Sequence, residues 1–265
     1  MGAVIPSATE ARMFALPVLF QGRRSASPAD RVSVPRNLGT PEPRPRTFLR
    51  RPRTFLPRET GAWRTDRIVS GTGGTLAVMA VVGWAYELAE SLLADPLPRR
   101  WAHSRGVAVR AEALAPVVGD EIETLWAAAV LHDIGYAPAV VETGFHPLDG
   151  ARHLRTLPAV DQRIVRLVAN HSFALLEAEE RGLRETLEAE FPLPDDDLLV
   201  DALVYCDMTT TPDGAATTSY ARVEEILGGY GTDSVVGRFI RRAAPAIHGS
   251  VDRVQARAAE VGLTL

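Results

Sequence analysis

The sequence predicts an all-α domain that follows an irregular N-terminal segment. From residue 77 onward apolar residues recur at helical spacing, prolines such as Pro96, Pro158 and Pro194 mark helix starts, and no strand pattern rises above noise. The predicted helices cover residues 77–94, 97–115, 120–134, 147–156, 158–171, 174–190, 195–209, 218–228, 233–246 and 249–262. The chain has 265 residues, 46% of them hydrophobic, which is enough for one buried core.

Residues 1–75 differ in composition from the rest of the chain. They are rich in Pro and Arg, and the stretch RPRTFL occurs twice, at 44–49 and 51–56. Because prolines this frequent oppose both helix and central strand, we predict a disordered leader over 1–75 and the folded domain over 76–265. Three explanations for the leader are open: a basic interaction tail, a targeting peptide, or translation from an upstream start codon. We favour the last, with Met79 as the true start, because the globular pattern begins there.

The charge of the chain is divided between its two parts. Residues 1–75 hold 13 Arg and 5 acidic residues, a net charge of +8, whereas residues 76–265 hold 16 Arg and 28 acidic residues, a net charge of −12. An acidic domain disfavours long nucleic acid as a partner and leaves a small anionic substrate possible.

The apolar stretch 76–85 is too short to span a membrane. The single cysteine, Cys206, excludes an intrachain disulfide, fits a cytoplasmic location, and is interpreted as a buried core thiol.

Several histidines and aspartates of the predicted domain fall on helix faces that are otherwise apolar. His132 and Asp133 end a stripe of apolar residues that begins at Ile122, and Gly135 then ends the helix. His103, His171 and Asp207 lie on three further apolar stripes, and a buried carboxylate is costly unless it is paired or bound to metal.

His146 has a different context, because it precedes Pro147, which favours the first position of a helix. A single histidine of this kind is ordinarily a core or surface residue, and His153 and His248 are interpreted in that way. Taken together, the other residues predict a metal site of imidazole and carboxylate ligands. The predicted ligands are His103, His132, Asp133, His146, His171 and Asp207. Such a set accepts one or two divalent transition-metal ions and does not distinguish Mn, Fe, Zn, Ni and Co.

The order of these residues resembles that of the HD-domain superfamily of metal-dependent phosphohydrolases. The resemblance covers roughly residues 97–215 and rests on His103, the stretch LHDIG at 131–135, and Asp207. It implies a helical bundle in which His103, His132, Asp133 and Asp207 bind one metal. The two further histidines, His146 and His171, imply a second ion bridged to the first by Asp133.

The stretch HPLDGA at 146–151 is similar to part of the HD-GYP phosphodiesterases, but residues 170–173 read NHSF and the later motifs of that subtype are missing. We therefore do not expect HD-GYP activity. Many HD enzymes also carry a lysine just after the HD pair to hold phosphate, whereas this chain has Tyr136 there and no lysine at all. Arginine must supply that charge, and the candidates considered are Arg105, Arg152 and Arg155, which follow ligands in the sequence. We predict catalytic roles for His132, Asp133, Arg105 and Arg152, and no site for an organic cofactor.

The resemblance implies hydrolysis of a nucleotide or another small phosphate ester by a metal-activated water. Two alternatives are open. A few proteins of the same fold hold a mixed-valent di-iron pair on the same ligand order and act as oxygenases, and an HD domain can also be a non-catalytic ligand-binding domain. The sequence predicts no membrane partner and leaves the oligomeric state undetermined.

Overall fold

The computed structural model describes the backbone of residues 74–265 and the side chains from residue 81 onward. Nearly all of the predicted leader therefore lies outside the described residues. Gly74 and Thr75, its last two residues, begin the first helix. The expectation of disorder over the rest of the leader stays a prediction.

The described residues form an all-α fold, as predicted. Within residues 74–265 there is no strand, and a single isolated bridge pairs Thr210 with Ala216. The helices are α1 Gly74–Leu93, α2 Pro98–Ala113, α3 Ala115–Val118, α4 Ile122–Leu131, α5 His146–Thr156, α6 Gln162–Asn170, α7 Ala174–Glu180, α8 Arg184–Glu190, α9 Asp197–Met208, α10 Ser219–Tyr230 and α11 Val235–Glu260.

Helix α4 lies at the centre of the bundle. It packs against α1, α2, α6 and α9, and every residue from Thr124 to Leu131 is buried. A helix that is apolar on all sides must be surrounded by other elements. The His132-Asp133 pair, which follows directly, therefore lies deep in the core.

The C-terminal helices enclose a second, smaller apolar cluster. Val204 and Met208 on one face of α9 contact Val223 of α10 and Phe239 and Ile240 of α11. The opposite face of α9 belongs to the main core, where Cys206 is fully buried. Helix α9 is thus fixed on both sides, and Asp207 at its end is held in place.

Four predicted helices differ from those observed. The predicted helix 158–171 begins only at Gln162, because the Asp161 side chain accepts a hydrogen bond from the Arg163 backbone and caps α6. The predicted helix 174–190 is divided into α7 and α8 at Gly182, whose φ is 70°. The predicted helices 233–246 and 249–262 are merged into one helix, α11, that continues through Pro245. Buried residues on both sides of Pro245, including Ile240 and Ile247, fix α11 against its neighbours, so packing outweighs the hydrogen bond lost at proline.

The longest apolar stretch near the start of the described residues is α1, which has 20 residues and carries Glu87 and Glu90 in its second half. A membrane-spanning helix needs about 20 predominantly apolar residues. None of the helices between residues 74 and 265 combines the length and apolarity needed to cross a membrane.

Candidate metal centre

The six predicted metal ligands lie close together at the middle of the bundle. His103, His132 and Asp133 form one group of potential ligand atoms that lie within 4.8 Å of one another, and Asp133, His146 and His171 form another. Asp133 belongs to both groups. Asp207 completes the cluster, with Oδ1 3.1 Å from Nε2 of His103 and 3.9 Å from Nε2 of His132.

The six ligand candidates come from five different parts of the bundle. His103 lies on α2, Asp207 near the end of α9, and His146 at the first position of α5. The His132-Asp133 pair and His171 directly follow the ends of α4 and α6. All of them are buried except His146, which is partly exposed. The cluster is therefore assembled by tertiary packing rather than by one local motif.

Backbone carbonyls orient three of the imidazole rings. In each ring Nδ1 lies at hydrogen-bond distance from a carbonyl oxygen: His103 from Thr211 at 3.0 Å, His132 from Ala129 at 2.7 Å and His171 from Val168 at 2.6 Å. Because a carbonyl can only accept, Nδ1 carries a proton, so Nε2 of the neutral ring keeps its lone pair. The three Nε2 atoms then face the cluster as metal-ligating imidazoles do.

The contacts of these Nε2 atoms fit a bound cation. Nε2 of His132 is buried and has no hydrogen-bond partner. His103 faces an acceptor through each nitrogen, Thr211 O and Asp207 Oδ1, although a neutral imidazole has a single N–H. Nε2 of His146 lies only 3.1 Å from Nε2 of His171. Metal cations held by the two ligand groups would give these lone pairs a partner.

The charges of the cluster are strongly coupled. Burial would raise the pKa of Asp133, but Arg100 and His132 outweigh it and hold that pKa well below the usual value. Burial would also raise the pKa of Asp207, but the close contact with His103 and the charge of His132 lower it. Burial opposes protonation of His132, yet Asp133 and Asp207 raise its pKa to about 9. Both carboxylates are thus ionised, which is the state that ligates metal.

Comparison with known protein families identifies this part of the chain. The family model of the HD domain matches residues 100–206, the segment that carries the first five ligand candidates, and Asp207 follows it directly. Residues 100–206 form an HD domain. The comparisons with curated proteins and with solved structures found no match.

Arg100 of the HD domain contacts the cluster, a role that was not predicted from the sequence. Its Nη1 donates a hydrogen bond of 2.8 Å to Oδ2 of Asp133. Its guanidinium lies 4.1 Å from the ring centre of Tyr136, and that ring stacks on His146 at 4.0 Å. One signal was available in the sequence: Arg100 precedes His103 by three residues, which places both on the same face of a helix.

The loop before α5 is fixed by Asp149, and this directs His146 into the cluster. The buried Asp149 carboxylate accepts hydrogen bonds from the backbone N–H groups of Glu142, Thr143 and Gly144. Helix α5 also packs directly on the turn after the HD pair, because a Cβ at Gly135 would lie 2.0 Å from the carbonyl oxygen of His146. Asp149 and Gly135 thus position the ligand on α5.

The turn after α6 is held in an unusual backbone conformation. Ser172 and Phe173 both have positive φ, 47° and 64°, which non-glycine residues seldom adopt. This turn brings the Ser172 hydroxyl to Asp207, where it donates a hydrogen bond to Oδ2. Strain of this kind persists where the surrounding structure imposes it, and it is frequent at functional sites.

The arginines predicted to hold phosphate lie away from the cluster. Arg105 lies over the Trp101 ring and beside Tyr86. Arg152 and Arg155 both pair with Glu190. No contact in the described part of the chain brings any of the three to a ligand candidate, so their catalytic role stays a prediction without structural support.

The remaining residues considered from the sequence have local partners. His153 lines a surface cavity beside Arg152. His248 hydrogen-bonds Ser219 and stacks on Tyr220. Cys206 is fully buried, and burial raises the pKa of its thiol far above the usual value, as expected for a core thiol.

Proposed function

We propose that this HD domain is a metal-dependent phosphohydrolase acting on a nucleotide or another small phosphate ester. The observation that carries the proposal is the pair of overlapping ligand groups that share Asp133. Two cations about 4 Å apart, joined by a carboxylate, are a recurrent arrangement for attack of water on phosphate.

The ligands divide into two sets in this proposal. His103, His132, Asp133 and Asp207 would hold the first ion, and His146, His171 and Asp133 would hold the second. Mn, Fe, Zn, Ni and Co all accept imidazole and carboxylate ligands, so the donor set supports one or two divalent transition-metal ions without selecting the element.

The chain supplies no nucleophile of its own at the cluster, within the described residues. The Ser172 hydroxyl donates to Asp207, and Cys206 is a buried thiol of raised pKa. Bound metal would supply Lewis acidity toward phosphate oxygens and lower the pKa of the attacking water. The protein contributes the orientation of its ligands through Nδ1 contacts, ionised carboxylates, and a site screened from bulk solvent.

The acidic charge of the domain and the burial of the cluster favour a small substrate over long nucleic acid. Residues 76–265 have a net charge of −12, so a polyanion would be repelled outside the immediate site. A bound metal reverses the sign locally and admits a single phosphate group. The cytoplasmic location expected from the single cysteine remains part of this proposal.

Metal analysis and a substrate screen test the proposal together. We expect protein purified without added metal to contain transition metal and to hydrolyse at least one nucleotide or phosphomonoester. Asp133→Ala should lose both the metal and the hydrolysis, whereas Asp213→Ala, which removes an exposed carboxylate paired with Arg99, should keep both.

Three outcomes would contradict the proposal. Full metal content in Asp133→Ala would remove the assigned site. Oxygen consumption by a metal-loaded protein that cleaves no phosphate ester would favour an oxygenase. Metal and ligand binding without any turnover would favour a non-catalytic domain.

A further inference from the structure

A phosphate substrate needs a cationic partner, and the structure narrows the choice to one residue. The chain has no lysine. The three arginines predicted from the sequence to hold phosphate are held by other groups, whereas Arg100 reaches the cluster through Asp133. Among the described residues, no other arginine hydrogen-bonds a ligand candidate.

Arg100 has donors left for an anion. Nη1 is used by Asp133, whereas Nε and Nη2 donate to no acceptor within the described part of the chain. The side chain is 29% exposed, in contrast to 3% for Asp133, so it lies between the buried cluster and solvent. The Tyr136 ring supports the Arg100 guanidinium, and the guanidinium edge that carries Nε and Nη2 stays available for an anion.

The same geometry predicts that Arg100 and a bound metal ion compete for Asp133. Nη1 of Arg100 donates to Oδ2 of Asp133, and Oδ2 is also the oxygen that faces the first ligand group, 3.4 Å from Nε2 of His132 and 3.9 Å from Nε2 of His103. A divalent ion ligated by Oδ2 would therefore lie beside the guanidinium. Like charges this close repel each other, and more strongly in a buried site than in water.

We propose that Arg100 is the phosphate-binding residue of this site and that metal binding releases it for that task. Without metal, Arg100 neutralises Asp133. With metal bound, Oδ2 of Asp133 would serve as a ligand, and the displaced guanidinium of Arg100 would turn its free edge to the substrate phosphate. This inference rests on the proposed function, because it assumes the same ligands and an anionic substrate. Its consequence is that the affinities of the protein for metal and for phosphate are linked through Arg100.

Calorimetric titration of the purified, metal-stripped protein tests the linkage without measuring turnover. Mn²⁺ alone is titrated first, and inorganic phosphate is then titrated into the Mn²⁺-loaded protein. We expect Arg100→Gln to bind Mn²⁺ about tenfold more tightly than the wild type, and its loaded form to bind phosphate about tenfold more weakly, within the usual range of such couplings.

Two further variants separate the role of Arg100 from general charge and from misfolding. Arg99→Gln removes the same charge from the adjacent residue, whose partner is the exposed Asp213. Both of its affinities should stay within about twofold of the wild type, because exposed charges are largely screened. Arg100→Lys keeps the charge, so Mn²⁺ affinity should stay near the wild-type value while phosphate affinity falls, since lysine lacks the bidentate fork.

The results that overturn the inference differ from those that overturn the proposed function. Unchanged or weaker Mn²⁺ binding by Arg100→Gln would show that Arg100 supports Asp133 as a ligand rather than competing with metal. Unchanged phosphate binding would show that Arg100 does not hold the anion. Either result leaves the metal site and its hydrolytic activity intact, whereas failure of the wild type to bind Mn²⁺ would refute both.

Discussion

At the scale of single residues, the ligand candidates differ in whether they belong to one of the two ligand groups or to both. Asp133 is common to both ligand groups, whereas His146 and His171 belong only to the second, and His103 and His132 to the first. This division predicts graded losses of metal when single ligands are removed.

We predict that His146→Ala and His171→Ala each lower the metal content from about two ions per chain to about one, and that Asp207→Ala removes more. Elemental analysis after desalting measures the content. His153→Ala is the matched control, because His153 lies on the same helix as His146 without contacting the cluster, and it should retain all the metal. Retention of both ions in the two ligand variants, with only an affinity loss of about 10–100-fold, would place His146 and His171 outside the ligand set.

A second prediction concerns the hydroxyl of Ser172. Its hydrogen bond to Asp207 orients a ligand, and loss of such a contact typically costs about 10–100-fold in metal affinity. We expect that loss in Ser172→Ala, as measured by competition with a fluorescent chelator. Ser172→Gly also lacks the hydroxyl but accepts the positive φ, so it should lose metal affinity equally. Recovery of affinity in the glycine variant would show that backbone strain, rather than the hydroxyl, matters.

At the scale of elements, the turn after α4 and the start of α5 are in direct contact. A Cβ at Gly135 would lie 2.0 Å from the His146 carbonyl oxygen and 2.7 Å from the Gly150 backbone nitrogen. Backbone atoms cannot move aside alone, so a side chain at this position must shift the whole of α5. The position of the second ligand group therefore depends on a helix contact that only glycine permits.

Gly135→Ala should consequently reduce both stability and occupancy of the second ion. Overpacking of this kind costs about 1–3 kcal/mol, which urea denaturation of the metal-stripped protein would detect, and the metal content should fall toward one ion. Gly83→Ala in α1 is the control, because a Cβ there meets nothing within 4 Å. It should be neutral or stabilise by up to about 1 kcal/mol. Wild-type stability and metal content in Gly135→Ala would contradict the predicted shift of α5.

At the scale of the whole molecule, helix α1 is the first element of the described domain that contributes to its core. Helix α1 contributes Ala85, Ala89 and Leu93 to the buried core and packs against α4. All three follow Met79, the start suggested by the sequence.

A chain that begins at Met79 should therefore fold and bind the same amount of metal as the full chain. Circular dichroism, thermal unfolding and elemental analysis would compare the two. The first turns of α1 are lost in the shorter chain, so a slight decrease in the melting temperature is expected. Loss of cooperative unfolding would show that residues 1–78 are needed for the fold.

The sequence by itself determined the helical class, most of the helices, and the positions of the ligand candidates. It could do so because these properties are local: a polar ligand on an apolar stripe stands out within a few turns of helix, as His103 and Asp207 do. Breaks such as Gly182 and the cap at Asp161 lie at helix boundaries, which local periodicity places only approximately.

Only the tertiary structure decided which groups support the ligands. Arg105 follows His103 by two residues and points to another side of α2, whereas Arg100 lies one turn before it and reaches Asp133. The bond from Ser172 to Asp207 joins residues 35 positions apart, and the passage of α11 through Pro245 depends on neighbours in α7, α9 and α10. Such contacts depend on how the helices pack in three dimensions, and the spacing of residues along the chain does not determine that packing.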